Sequence, residues 1–133
     1  MLFGSEELGL RGSSDYVRGL SKEQRAATLA MLNFDALATG DTLGVLGDSD
    51  LARAVLLVGR ELGISSARRR FNGANLSSDH APFSEAGIPT VFFLADDISR
   101  IHTTEDTLEF VRPELLGGSA VLGIALLATL AEG

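Results

Sequence analysis

Two adjacent glutamates (Glu6 and Glu7), an aspartate at position 35 and a histidine at position 102 are the side chains of this 133-residue chain whose types could do metal-assisted chemistry. Carboxylate and imidazole together suit zinc. With no cysteine in the chain, such a site would be catalytic rather than structural. A zinc-activated water needs a base beside it that is not itself a ligand. Neighbouring glutamates can divide that work, because adjacent side chains point in different directions: one can hold metal while the other reaches water. Taken alone, the Glu6-Glu7 pair fits two surface carboxylates better than a site.

The elements that must position these residues can be read from spacing. Leu2-Phe3 reads as the last residues of a strand, cut off by Gly4-Ser5-Glu6-Glu7. Such a beginning leads us to expect a piece of a longer chain. Gly9 and Gly12 mark a tight loop, and Ser13 or Ser14 can cap a short helix through Gly19. Ser21-Lys22-Glu23-Gln24 has the form of a capping box opening a second short helix that ends near Ala27. Residues 28–34 predict a strand ending near Asp35, and residues 42–46 predict another, with Gly40-Asp41 as the turn between them. Asp48-Ser49 caps a clearer helix, in which Leu51, Val55, Val58 and Leu62 share one face and Gly63 is the stop. A strand is expected over 67–71, a polar loop over 72–77 and a short helix over 78–86. Residues 90–94, Thr-Val-Phe-Phe-Leu, suit a central strand. A polar loop covers 95–107, and Pro113 opens the last helix.

Strands alternating with helices predict an α/β three-layer sandwich with a mixed, largely parallel sheet. Such sheets gather their chemistry at the carboxyl ends of strands. Glu6 and Glu7 follow the first strand stub, Asp35 closes the next strand, and His102 lies in the loop after the apolar one. Three strand ends therefore offer metal-competent side chains to one rim.

Four blocks then occur in a recognisable order: Phe3-Gly-Ser-Glu-Glu-Leu-Gly-Leu-Arg-Gly-Ser13 with Tyr16; Asn33-Phe34-Asp35; Ser78-Asp79-His80-Ala81-Pro82-Phe83 with Gly87-Ile88-Pro89 before a strand; and His102-Thr103-Thr104-Glu105-Asp106-Thr107. Together they resemble the two-zinc exopeptidase family of the bacterial leucyl aminopeptidases and glutamate carboxypeptidase, over nearly the whole chain. The resemblance implies the C-terminal part, residues 1–133, of one zinc-peptidase catalytic domain of phosphorylase/hydrolase-like fold, truncated on its N-terminal side. It implies Glu6 as the general base, Glu7 and His102 as ligands of one zinc, and Asp35 as a ligand of the second. The expected reaction is water attack on a peptide carbonyl near a free N-terminus.

In the matching blocks, Asp79 could line the substrate pocket or orient a ligand, or equally well satisfy backbone N–H groups at a helix N-terminus. His80 reads as packing beside Pro82 and Phe83. Asp106 reads as a loop pin that holds His102 through side-chain-to-backbone hydrogen bonds. The family's other ligands, a histidine and a bridging aspartate, lie upstream of the glutamate block and are absent here. Many members place a tyrosine before the last histidine to stabilise the oxyanion, where this chain has Ile101. The isolated chain is therefore expected to be inactive, with a partial or empty metal site, to need the missing N-terminal half as partner, and to self-associate through uncovered surfaces.

Two alternatives share the fold. A glutaminyl cyclase-like enzyme usually carries a tryptophan before the final histidine and a longer insertion after the glutamates. This chain has no tryptophan, and Gly9-Leu10-Arg11-Gly12-Ser13 follows the pair directly. A non-catalytic interaction domain would usually lose ligands, yet those this region should supply are present.

Composition narrows the partners. A hydrophobic content of 45% supports a real core, and a net charge of −7 with scattered acidic residues argues against nucleic acid or an anionic membrane. The only basic run, Arg68, Arg69 and Arg70, reads as a solvated strand end or loop. The uncharged stretch 115–131 is at the lower limit for a bilayer span and reads as a buried core helix.

Overall fold

The computed structural model describes residues 1–69 and 77–132. Ten elements follow in order: α1 (Arg11–Gly19), α2 (Lys22–Ala27), β1 (Met31–Phe34), β2 (Leu43–Gly47), α3 (Ser49–Leu62), β3 (Ser66–Arg68), α4 (Ala81–Glu85), β4 (Thr90–Ala95), a 3₁₀ turn (Leu108–Phe110) and α5 (Pro113–Glu132). The four strands form one sheet in the order β1-β4-β2-β3. β1 runs parallel to β4 and β2 parallel to β3, while β2 and β4 are antiparallel. The sheet is thus mixed, with two of its three pairings parallel, as expected.

Helices cover both faces. On one side α3 and α5 pack over the sheet, where Leu43, Val45, Val55, Val91, Phe93, Leu122 and Leu126 form the main core. β4 is buried along its whole length. Alternation along it sends Val91 and Phe93 to this core and Thr90, Phe92 and Leu94 to the opposite face. There α1 and α4 meet through Val17, Phe83 and Ile88, with Phe3, Leu20 and Met31 against them. Each large apolar side chain so buried contributes about 1.5–3 kcal/mol.

Local signals explain most of the boundaries. Ser21 and Gln24 form the reciprocal capping box of α2. Asp48 accepts from the Asp50 and Leu51 amides at the start of α3, and Gly63 ends that helix at a φ of 67°. The first helix begins earlier than its serines suggest. Its cap position is Leu10, with no side-chain cap bond, and the Ser13 hydroxyl instead donates back to the Leu10 carbonyl.

Residues 1–3 are not a strand. Phe3 is instead an anchor: its ring lies 5.7 Å from Tyr16 of α1 and 5.8 Å from Phe83 of α4. β3 is three residues long. The expected continuation through Arg70 and Phe71, and the loop from Asn72, lie outside the described residues. Arg68 and Arg69 have structural work: Arg68 donates to the Gly47 and Asp48 carbonyls, and Arg69 pairs with Asp96 at 3.5 Å.

The last helix departs from the expectation of a buried core helix. Leu115, Ser119, Leu122, Gly123 and Leu126 are buried, but Leu116, Val121, Ile124 and Leu127 on its outer side are exposed. The helix is long and apolar enough to cross a membrane by length and composition alone. Its buried stripe nevertheless packs on α3 and β2.

Candidate active site

Because β1 and β4 are parallel, their carboxyl ends open on the same rim, and the chain leaving each strand delivers one candidate residue. Asp35 follows β1 directly, and its amide still donates to the Phe93 carbonyl of β4 at 3.3 Å. The loop after β4 carries His102. The segment before α1 carries Glu6 and Glu7 in a close turn, where the Gly9 and Leu10 amides donate to the Glu6 carbonyl. Gly12 supports that turn from below. A Cβ there would come within 2.5 Å of the Gly4 carbonyl oxygen, so only glycine lets α1 approach so closely.

These residues border one open cavity of about 770 Å³, lined by Glu6, Glu7, Asp35, His102 and Asp106 together with Leu10, Phe92, Leu94, Ile98 and Ile101. Within it Glu7 and His102 meet: His102 Nδ1 lies 3.6 Å from Glu7 Oε1. Two bonds of about 2 Å to one tetrahedral ion would set such donors about 3.3 Å apart. The donor chemistry and the spacing of this pair therefore fit zinc. Among the described residues, however, no group of three or more His, Cys, Asp or Glu side chains is close enough to hold a metal ion.

Asp35 is held by its neighbours. Ser78 donates from its hydroxyl to Asp35 Oδ2 at 2.8 Å, and the buried Asn33 amide donates to the same serine oxygen at 2.9 Å. With the Asn33 donor fixed on its oxygen, the serine hydroxyl is aimed at Asp35 Oδ2. Ser78 went unassigned in the sequence. The available signal was strand alternation, which puts Asn33 and Asp35 on one face and calls for a polar partner opposite.

Glu6 is the electrostatically distinctive carboxylate. Partial burial, followed by the charges of Asp35, Glu7 and Asp79, pushes its pKa above the ordinary value, against an opposing pull from His102. A carboxylate raised in this way is better matched to taking a proton near neutral pH.

The remaining candidates divide. Asp79 does not cap α4, whose cap position is His80. Its Oδ1 is buried without a partner among the described residues, although the side chain is near enough to raise the Glu6 pKa. His80 packs as expected, stacked on Phe92 with centroids 4.6 Å apart. Burial lowers its pKa, and its Nδ1 is also an orphan. Asp106 is exposed and makes no side-chain hydrogen bond among the described residues. The pin of the His102 loop is instead Asp97, which accepts from the Ser99 amide and hydroxyl and from Arg100.

Backbone strain gathers at the same place. Among the described residues, the non-glycine positions at positive φ are Ser5, Leu10, Ala36 and His102. Ser5 precedes Glu6, Leu10 and Ala36 line the cavity, and His102 is the candidate ligand. Left-handed conformations cost about 1–2 kcal/mol each, and such strain tends to cluster at functional sites.

Comparison with known proteins decides the family. The model of peptidase family M28 matches residues 1–126. The chain belongs to peptidase family M28. It is 33% identical over 125 residues to aminopeptidase YwaD of Bacillus subtilis, covering 86% of this chain and 28% of that protein. It is 29% identical to a probable leucine aminopeptidase of Arthroderma benhamiae, covering 97% of this chain and 38% of the relative. Among solved structures, the LapA aminopeptidase of Legionella pneumophila superposes with a TM-score of 0.82 at 26% identity, covering 98% of this chain and 38% of that one. A zinc aminopeptidase from Bacillus subtilis gives 0.77 at 30% identity, covering 94% and 34%. The M28 chain described here thus spans about a third of the length of the relatives it matches, and its α/β fold is theirs.

Proposed function

We propose that this chain is the C-terminal part of the catalytic domain of a two-zinc aminopeptidase, hydrolysing the peptide bond next to a free N-terminus, and that it is inactive alone. The observation that carries this reading is the placement of Glu6, with its raised pKa, on the same cavity as the Glu7–His102 pair and Asp35. When bound, zinc polarises the peptide carbonyl and makes water a better nucleophile.

The chain's own residues supply the rest. Glu7 and His102 would hold one ion, and Asp35, steadied by Ser78, would offer its other oxygen to the second. Glu6 takes the proton of the attacking water and returns it to the leaving amine. Ile101 has no donor to offer the developing oxyanion, so position 101 supplies shape rather than hydrogen bonding.

The aminopeptidase names of the relatives support peptide hydrolysis over the cyclase alternative. The test is made in a complete parent protein. Glu6→Gln should abolish turnover of an aminoacyl-nitroanilide while leaving zinc content nearly intact, whereas Glu7→Gln should lower zinc content as well. Equal metal loss in the two variants would show the roles to be misassigned. Robust hydrolysis by the 133-residue chain with added zinc would overturn the claim that it is inactive alone.

A further inference from the structure

His102 is presented by a strained turn. The Thr103 amide donates to the Arg100 carbonyl at 3.0 Å, which closes a β-turn over residues 100–103. His102 is the third residue of that turn and has a φ of 65°, the position at which type II turns call for glycine. A residue with a Cβ is strained there, so the turn must be held closed from outside. Its last residue contributes, because the Thr103 hydroxyl also donates to the Arg100 carbonyl, at 2.7 Å.

Its first residue is held by the side chain. Arg100 donates to Asp97 Oδ2 at 2.9 Å, and its guanidinium carbon stands 4.0 Å from the centre of the Phe110 ring. A flat cation that bonds a carboxylate and stacks on a ring is the geometry of arginine rather than lysine. Exposure separates this pair from the helical pairs of the same spacing. Arg18 with Asp15 and Arg53 with Asp50 leave the arginine side chains 74% exposed, whereas that of Arg100 is 32% exposed. Fully solvated pairs fix little. A guanidinium gripped from two sides is fixed in place.

Both supports are tied to the segment that follows Asp35. The Thr39 hydroxyl donates to the Asp97 carbonyl, and the Asp41 and Thr42 amides donate to the neighbouring Asp96 carboxylate at 2.9 and 3.1 Å. Two residues beyond Phe110, the Arg112 amide donates to the Ala38 carbonyl at 2.7 Å.

We propose that Arg100 is a positioning residue for His102: fixed by Asp97 and Phe110, it keeps the turn closed and the imidazole beside Glu7. This role rests on the reading of Glu7 and His102 as zinc ligands. Through Asp97 and Phe110 it sets the His102 loop on the same scaffold that carries Asp35.

NMR on the isotope-labelled, metal-free chain tests this. In the parent chain the three-bond couplings of residue 102 should report a positive φ, and the His102 ring should show a nuclear Overhauser contact with the Glu7 methylenes. Arg100→Ala and Phe110→Leu should each weaken that contact several-fold and move the couplings toward a negative φ. Phe110→Tyr keeps the ring face and should retain both signals. Arg53→Ala, which breaks a pair of like spacing on α3, should leave both unchanged. Amide resonances of β4 and α3 that keep their parent positions are expected in every variant, so that a lost contact reports His102 and not unfolding. Zinc added afterwards tells the two roles apart. If His102 ignores zinc while its contact with Glu7 is present and lost in Arg100→Ala, the zinc reading fails and the positioning role stands. Unchanged contact and couplings in both Arg100→Ala and Phe110→Leu would overturn the positioning role, whatever zinc does. A parent chain without the contact would overturn it as well.

Discussion

Asn33 on β1 and Asp35 just past its end are joined through the hydroxyl of Ser78, which receives from Asn33 at 2.9 Å and donates to Asp35 at 2.8 Å. The bridge ties the carboxyl end of β1 to the chain entering α4, and it fixes one of Asp35's two oxygens. Serine and asparagine are both buried here, so neither can turn to water for a replacement partner.

Ser78→Ala should therefore cost more than a surface hydroxyl deletion. It leaves the Asn33 amide unsatisfied, a loss of about 1–3 kcal/mol. Urea unfolding should show this as a lower midpoint with an unchanged slope. A loss within experimental error would mean that the bridge does not form in solution.

Ala36 sits at a φ of 50° directly after Asp35. Glycine has no Cβ penalty there, so Ala36→Gly should stabilise the chain by up to about 1 kcal/mol despite its larger unfolded-state entropy. Ala36→Val should destabilise it. If glycine lowered the melting temperature, the left-handed conformation at this position would be wrong.

Much of the scaffold is legible in sequence because its signals are local. The capping box at Ser21 and the Asp48–Gly63 brackets of α3 each sit within a few residues of what they control. The apolar run of β4 is legible because both its faces are buried. The misreadings have a shared cause in tertiary packing. Leu2-Phe3 resembles a strand end, but Phe3 is consumed by rings of α1 and α4. Ser13 resembles a cap, but helix α1 starts from a left-handed Leu10. Among the site residues, the blocks around Glu6, Glu7, Asp35 and His102 are visible in the chain. The roles of Ser78 and Asp97 depend on partners that spacing alone does not reveal.

His80 gives a pH prediction. Burial holds its folded-state pKa below the ordinary value, with Asp35 and Asp79 opposing. As pH falls below about 6.5 the unfolded chain gains this proton before the folded one does. Stability is therefore complete above that value and declines as the solution is acidified towards the lower folded-state pKa. Comparing urea midpoints at pH 7.5 and 5.5, the decline should be smaller in His80→Gln than in the parent chain. Parallel declines in the two proteins would remove His80 as the cause.

The division of labour between Glu6 and Glu7 is tested most directly by titrating zinc into the ¹⁵N-labelled chain and following the imidazole nitrogens of His102 by NMR. Zinc should shift those resonances with weak affinity, since on the proposed assignment Glu7 and His102 supply only two ligands to that ion. Glu7→Gln should weaken the response several-fold, and Glu6→Gln should leave it nearly unchanged, because in the proposed assignment Glu6 touches water rather than metal. A His102 resonance indifferent to zinc, or equal weakening by both glutamate substitutions, would contradict the assignment.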